Sequence, residues 1–175
     1  VFTGLVILTG DKPADGGRNE LEDAVRTLEQ KGVTIVIRLC TNDSKVQGFY
    51  RSIRGSSIHT LSNDQDEARR VTRHHPWLSY KSSLHFAREF SLCYNPLLAK
   101  LGTAMIPKED LCDFLLCVFG GDGIPLLSDD NQDEYIRSIE TANTNAQEVF
   151  DPLQGRESPW IDVGKLRKKY FGWLA

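Results

Sequence analysis

The feature that most constrains the fold lies near the start of the chain, where an apolar run, an amphipathic segment and a second apolar run follow one another. Phe2-Thr3-Gly4-Leu5-Val6-Ile7-Leu8 is short, nearly continuous in apolar side chains and rich in β-formers, the pattern of a strand buried on both faces. Thr9 to Gly17 then supply dense turn chemistry in Gly, Pro and Asp. From Asn19 onward, Leu21, Ala24, Val25 and Leu28 fall at helical spacing, so one stripe faces a core. Gly32 predicts the helix stop, and Val33 to Cys40 predicts a second buried strand. Strand, helix, strand in this span is a βαβ unit, which implies a parallel pair joined by a right-handed crossover.

Farther along, Ser44 predicts the cap of a short helix carrying Val46, Phe49, Tyr50 and Ile53, with Gly55 ending it. Ser57 to Leu61 reads as a third, edge-like strand. A polar helix from Asp66 to Arg73 must stop before Pro76, because the residue preceding proline is pushed out of the helical region. Beyond residue 77 the pattern is helical. Helices are expected around Ser83 to Cys93, over Pro107 to Phe119, from Asn131 to Thr144 and from Val163 to Phe171. In the second of these Leu111, Phe114, Leu115 and Val118 share a face, and Pro107 suits the first turn. Gly120 to Gly123 reads as a loop. The expected fold is α/β: a partial Rossmann-like parallel sheet of about three strands in residues 1–76, with a mostly helical region in residues 77–175 packed on it.

Composition narrows the function. A net charge of −3 over 175 residues argues against a general nucleic-acid binder, whose footprint would be basic. The local basic clusters, Arg69-Arg70-Val71-Thr72-Arg73 and Lys165-Leu166-Arg167-Lys168-Lys169, read as solvated helix faces, with a phosphate-binding or acidic-partner patch as the alternative. No apolar run approaches the ~18 residues that a membrane span needs. Val1 to Leu8 lacks the basic flank and cleavage pattern of a signal peptide, and a first residue other than Met points to a removed leader or a piece of a longer polypeptide. Cys40, Cys93, Cys112 and Cys117 show neither a CxxC pair nor zinc spacing. Three have apolar neighbours, which predicts buried, reduced thiols and an intracellular setting, cytoplasmic or organellar; a disulfide stays open.

Catalytic and cofactor signals are weak. Gly10, Gly16 and Gly17 follow a strand, but neither Gly-x-Gly-x-x-Gly nor Gly-Lys-Ser/Thr is present, so turn glycines explain them better than a phosphate loop. Ser83 and His85 are two apart and point to different sides of a helix, and no Gly-x-Ser-x-Gly elbow accompanies them or Glu89. His85 is expected as a hydrogen-bonded, half-buried residue. His74 and His75 adjoin a helix end, where a cation suits the dipole. The acidic stretch Ser128 to Glu134 lacks the central glycine and ligand spacing of a calcium loop, and reads as a helix N-terminus. The chain is therefore expected not to be an enzyme.

Leu5-Val6-Ile7-Leu8-Thr9-Gly10-Asp11-Lys12-Pro13-Ala14-Asp15-Gly16 resembles the strand-to-loop signature of von Willebrand factor A-type domains, a hydrophobic strand running into Thr-Asp-Gly-x-Pro. Gly32 to Asp43 is similar to the next strand of a subgroup of that family. Pro76-Trp77-Leu78-Ser79-Tyr80, Leu84-His85-Phe86-Ala87-Arg88-Glu89 and Pro159-Trp160-Ile161-Asp162 look like further segments of the subgroup. The resemblance implies the C-terminal half of an A-type domain with a helical extension. Members that bind metal hold a divalent cation through an Asp-x-Ser-x-Ser loop, a threonine and the Asp of Thr-Asp-Gly. Here Asp-x-Ser-x-Ser is absent and the last motif is permuted to Thr9-Gly10-Asp11, leaving Asp11 as the one candidate metal ligand. The expectation is a degenerate metal site and no cofactor, the alternative being a ligand-binding A-type domain that takes Mg2+ or another divalent cation and whose N-terminal half lies outside this sequence.

A strand as apolar as Leu5 to Leu8 is expected to have neighbours on both edges. One neighbour is the strand from Val33. The other side must be covered by residues 77–175, by another polypeptide or by a preceding segment. This predicts a scaffold or interaction subunit that docks on other protein subunits through Leu5 and Ile7 and through the aromatic tail, Trp160, Tyr170, Phe171 and Trp173.

Overall fold

Strand β1 (Thr3–Thr9), helix α1 (Arg18–Gln30) and strand β2 (Val33–Leu39) form the expected βαβ unit in a computed structural model that describes residues 3–91, 95–120, 124–128 and 131–172. The strands run parallel, with Thr3 opposite Val33 and Thr9 opposite Leu39. On the far side of β2, strand β3 (Ile58–Leu61) pairs parallel to it, with Ile35 opposite Ile58 and Arg38 opposite Leu61. The order β1-β2-β3 makes β2 the central strand. Its side chains alternate between two faces, as the period of a strand requires. Ile35, Ile37 and Leu39 pack against Val25 of α1 and against Val46 and Tyr50 of α2 (Ser44–Arg51), while Val36 meets Leu61, Val6 and Ala99 on the other face.

Local chemistry sets the helix ends. The Glu20 carboxylate accepts from the Gly17 N–H at 3.0 Å and opens α1, and Gly32 closes it at φ +73°, a conformation that costs a residue with a Cβ. The cap of α2 is Asp43 rather than Ser44: its Oδ1 accepts from the N–H groups of Lys45 and Val46. Helix α3 (Asp64–His74) starts at Asn63, whose side chain accepts from the Asp66 N–H, and ends before Pro76 as expected.

The helical region holds the larger core. It comprises α4 (Ser82–Ser91), α5 (Pro96–Lys100), α6 (Leu111–Phe119), α7 (Gln132–Asn145) and α8 (Val163–Phe171), with a short antiparallel hairpin of β4 (Val149–Asp151) and β5 (Arg156–Ser158). Trp77, Leu111, Phe114, Leu115, Tyr135, Ile139 and Leu166 are all essentially sealed from solvent, each large apolar side chain contributing about 2 kcal/mol. Trp77 meets Phe114 and Tyr170 edge-on, with ring centroids 5.9 Å apart in each case. Ala68 and Val71 of α3 belong to the same core, so α3 ties the sheet to the helices.

Other expectations are corrected as well. β1 is not buried on both faces: it is an outer strand, with Leu5 38% and Leu8 61% exposed, and β2 alone has the fully buried pattern. An apolar run reports on what a strand prefers and not on whether a neighbour is present. Helix α6 begins at Leu111, with residues 108–110 in a turn, so Pro107 precedes the helix instead of opening it. Cys112 is buried as expected, but Cys40 and Cys117 are exposed; all three are free thiols, and Cys93 lies outside the described residues. His75 is no helix-end cation. It is fully buried, its Nδ1 faces the Val71 carbonyl at 3.3 Å and its Nε2 accepts from the Ile106 N–H at 3.0 Å, a pair of contacts that only the neutral ring satisfies.

Candidate functional site

Every strand of a sheet has two hydrogen-bonding edges, and β1 uses one. Among the described residues its only strand partner is β2, and residues 77–175 add no strand to its outer side. Ile7 is half-buried and packs on the α1/α2 face, whereas Leu5 and Leu8 stay exposed. The result is a seven-residue apolar strand whose outer backbone groups face away from the sheet. Such an edge is a template for strand addition unless charge, proline or a bulge blunts it, and β1 contains none of the first two.

The tail residues occupy a different place. Trp160, Tyr170 and Phe171 pack against the helical core, and Ile7 belongs to the sheet core, so the structure does not gather the partner-binding candidates into one surface. Tyr170 donates its hydroxyl to the Ile106 carbonyl at 2.8 Å, and burial pushes its pKa up to about 12. Phe171 stacks edge-on with Tyr135 at 6.2 Å, under the ammonium of Lys108. The Trp160 carbonyl accepts from the Ser79 N–H at 2.9 Å. These side chains anchor α8. Trp173 lies outside the described residues.

At the end of β1, Asp11 is held by its backbone. Its carbonyl accepts from the Thr9 hydroxyl at 2.7 Å and from the Tyr50 hydroxyl at 2.8 Å, and its Oδ1 accepts from the Lys12 N–H. The carboxylate is exposed and capped locally, and among the described residues no group of three or more His, Cys, Asp or Glu side chains is placed to hold a metal. One carboxylate and one hydroxyl fall short of the oxygen set that a hard divalent cation requires. The residues present at Asp11 do not fit a cation site.

The carboxyl ends of β2 and β3 open into a crevice of about 510 Å3, lined by Arg38, Cys40, Thr41, Asn42, Asn63 and Asp64. Behind its wall lies a buried polar chain that spans α3, α4 and β2. Arg88 Nη1 donates to Glu67 Oε2 at 2.8 Å and to the Tyr80 hydroxyl at 3.1 Å. Tyr80 Oη sits 3.2 Å from His85 Nδ1, and His85 Nε2 sits 3.5 Å from Asp64 Oδ1. Asp64 also receives the Ser82 hydroxyl at 3.2 Å and Arg38 Nη2 at 3.1 Å, and the other Arg38 nitrogen reaches Glu89 Oε2 at 3.2 Å. Since Tyr80 accepts from Arg88, its proton points to His85 Nδ1, which leaves the His85 N–H on Nε2 facing Asp64. Burial holds the His85 pKa below its ordinary value, against the pull of Asp64. Burial likewise raises the Tyr80 pKa.

This chain positions Arg38 and Asp64 and fixes α3 and α4 against β2. Within it Ser82 donates to a carboxylate and not to an imidazole. Ser83 is exposed while His85 is fully buried, so these two do point to different sides. The half-buried environment expected for His85 is corrected to complete burial. The partners of Glu67, Asp64 and Tyr80 come from three separate segments, and a sequence read segment by segment carries no signal for such a meeting.

Comparison of the chain with models of protein families, with curated proteins and with solved structures finds no match.

Proposed function

We propose that this chain is a non-catalytic interaction or scaffold subunit with a degenerate A-type α/β fold, and that a strand from another polypeptide adds to the outer edge of β1. The open edge of β1 carries the reading: seven residues of extended backbone, with Leu5 and Leu8 exposed and, among the described residues, a strand partner on one side alone. An added strand would satisfy the outer N–H and C=O groups, and the two leucines would supply apolar contacts.

Native mass spectrometry of the full chain purified from its source, together with amide exchange over residues 3–9, tests this. The expected result is a complex with a defined partner in which the β1 amides are protected, lost when Leu5→Lys and Leu8→Lys are combined. A protein with no partner at physiological concentration, with β1 amides exchanging freely and unchanged by those substitutions, overturns it.

A further inference from the structure

Between α2 and α3, on the helix surfaces away from β1, four arginines converge. A cleft of about 250 Å3 is lined by Gln47 and Arg51 of α2 and by Asp66, Arg69, Arg70 and Arg73 of α3. Two of the four charges are spent. Arg69 pairs with Asp66 at 2.9 Å, and that carboxylate also accepts from Gln47 and Asn63, which together hold its pKa below the usual range. Arg70 pairs with the buried Glu67 at 3.2 Å, a carboxylate it shares with Arg88.

The other two arginines, Arg51 and Arg73, make no ion pair among the described residues. Arg51 is aimed at the Ser62 hydroxyl, and Arg70 Nη2 approaches the same oxygen at 3.5 Å, so two guanidinium groups converge on one neutral acceptor. Like charges at that range repel; the hydroxyl does not offset this, and Glu67, the partner of Arg70, does so in part. Partial burial is the main cause that pushes the Arg51 pKa below its ordinary value; the nearby Arg70 charge adds to it, against the opposing pull of Glu67 and Asp66. Arg73 lines the cleft with no ion pair among the described residues. A basic residue in the last turn of a helix suits the macrodipole, which accounts for one arginine on each helix but not for their convergence on a common cleft.

We infer that this cleft binds a phosphomonoester dianion, with Arg51 and Arg73 as the ligating residues and Arg70 as a third, shared donor. Two guanidinium groups without an ion pair of their own match a group carrying about −1.5 to −2 charge at neutral pH, and their planar forks suit its oxygens in bidentate contact. A monovalent carboxylate would leave one charge unmatched. Gln47 is engaged by Asp66 and by the Thr41 carbonyl, so it forms the wall and is not counted as a donor. The phosphoryl group comes either from free phosphate or from a phosphorylated side chain of a partner protein.

Inorganic phosphate and a phosphoserine hexapeptide are titrated separately into the full chain, with amide chemical shifts followed over residues 44–74. The expected result is saturable binding whose shifts centre on α2 and α3. Arg51→Gln and Arg73→Gln each weaken it at least about tenfold, while Arg26→Gln, an exposed arginine on α1 paired with Asp23, leaves it unchanged. Arg51→Lys retains part of the affinity. Tighter binding of the peptide assigns a protein-borne source, and equal or weaker binding assigns free phosphate. Should Arg51→Gln lose its helical circular dichroism, the exposed Arg73 decides the matter alone. Absence of saturation by either probe, or binding indifferent to Arg73→Gln, overturns the inference.

Discussion

Arg88 Nη1 lies 2.8 Å from Glu67 Oε2, and the two side chains are only 4% and 0% exposed. The pair is fully dressed: Glu67 Oε1 accepts from the Ser62 N–H at 3.0 Å, and Arg88 Nε donates to the Leu98 carbonyl at 3.0 Å. Removing Arg88 leaves the buried Glu67 with the partly exposed Arg70, at 3.2 Å, as its counter-ion, and strips it of its buried one, a more serious change than loss of the pair itself. Arg88→Ala is expected to destabilise the fold by about 3–5 kcal/mol, read as a lowered urea midpoint. The double variant Arg88→Met, Glu67→Met should recover much of that loss. A single variant within about 1 kcal/mol of the parent would mean that water reaches the pair.

His75 makes stability depend on pH. Burial, the largest cause, drives its pKa from the usual 6.5 down to about 4, and the Ile106 N–H bond to Nε2 exists with the neutral ring alone. Between those values the unfolded chain binds a proton that the folded chain refuses, so stability falls as pH drops from about 6.5 to about 4 and falls no further below that from this group. The full loss is about 3 kcal/mol. Urea titrations at successive pH values should show this decline. His75→Gln, which keeps polar atoms on the ring's partners without titrating, should flatten it; an unchanged profile would assign the decline elsewhere.

Lys81 fastens the β4–β5 hairpin. Its ammonium is fully buried and donates to the Val149 carbonyl at 2.7 Å and the Ser158 carbonyl at 2.8 Å, and to the Ser158 hydroxyl. Burial lowers its pKa, with Asp151 and Glu148 opposing the shift. Lys81→Met fills the same space but takes the donor from three acceptors, two carbonyls and the Ser158 hydroxyl, costing about 1–3 kcal/mol for each left buried and unpaired. Hydrogen exchange should therefore speed up over residues 149–158 before it does over α6 or α7. Uniform exchange rates in the variant would show that the hairpin needs no such tether.

The parts of this fold that read well from sequence are those fixed by periodicity and caps within a short span. Leu21, Val25 and Leu28 define the inner face of α1, Gly32 its end, and Ile35 to Leu39 the central strand. The tail helix was expected from Val163 to Phe171 and forms over that span; the structure adds its cap, Asp162, which accepts from the Lys165 N–H. What stayed hidden depends on distant segments. Lys81 looks like a surface lysine until β4 and β5 close around it, and nothing near Arg51 announces that it faces Arg70 and Arg73. β1 was legible as a strand but not as an outer one, because strand composition does not encode the presence of a neighbour.

Two glycines near α2 should respond in opposite directions to the same added methyl group. At Gly55 a Cβ would stand 2.7 Å from Glu29 Oε1, 2.9 Å from Ile58 Cγ2 and 3.1 Å from Val25 Cγ1. Val25 is buried and Glu29 Oε1 is held by the Ser57 N–H, so neither neighbour retreats without cost. At Gly48, inside α2, nothing lies within 4 Å of the same atom. Alanine there removes conformational freedom from the unfolded chain and raises helix propensity. Gly48→Ala is expected to stabilise by about 0.5–1 kcal/mol, and Gly55→Ala to destabilise by about 1–3 kcal/mol. Urea midpoints of the two variants measure both. Should Gly55→Ala match the parent, the junction of α1, α2 and β3 is looser than these distances require.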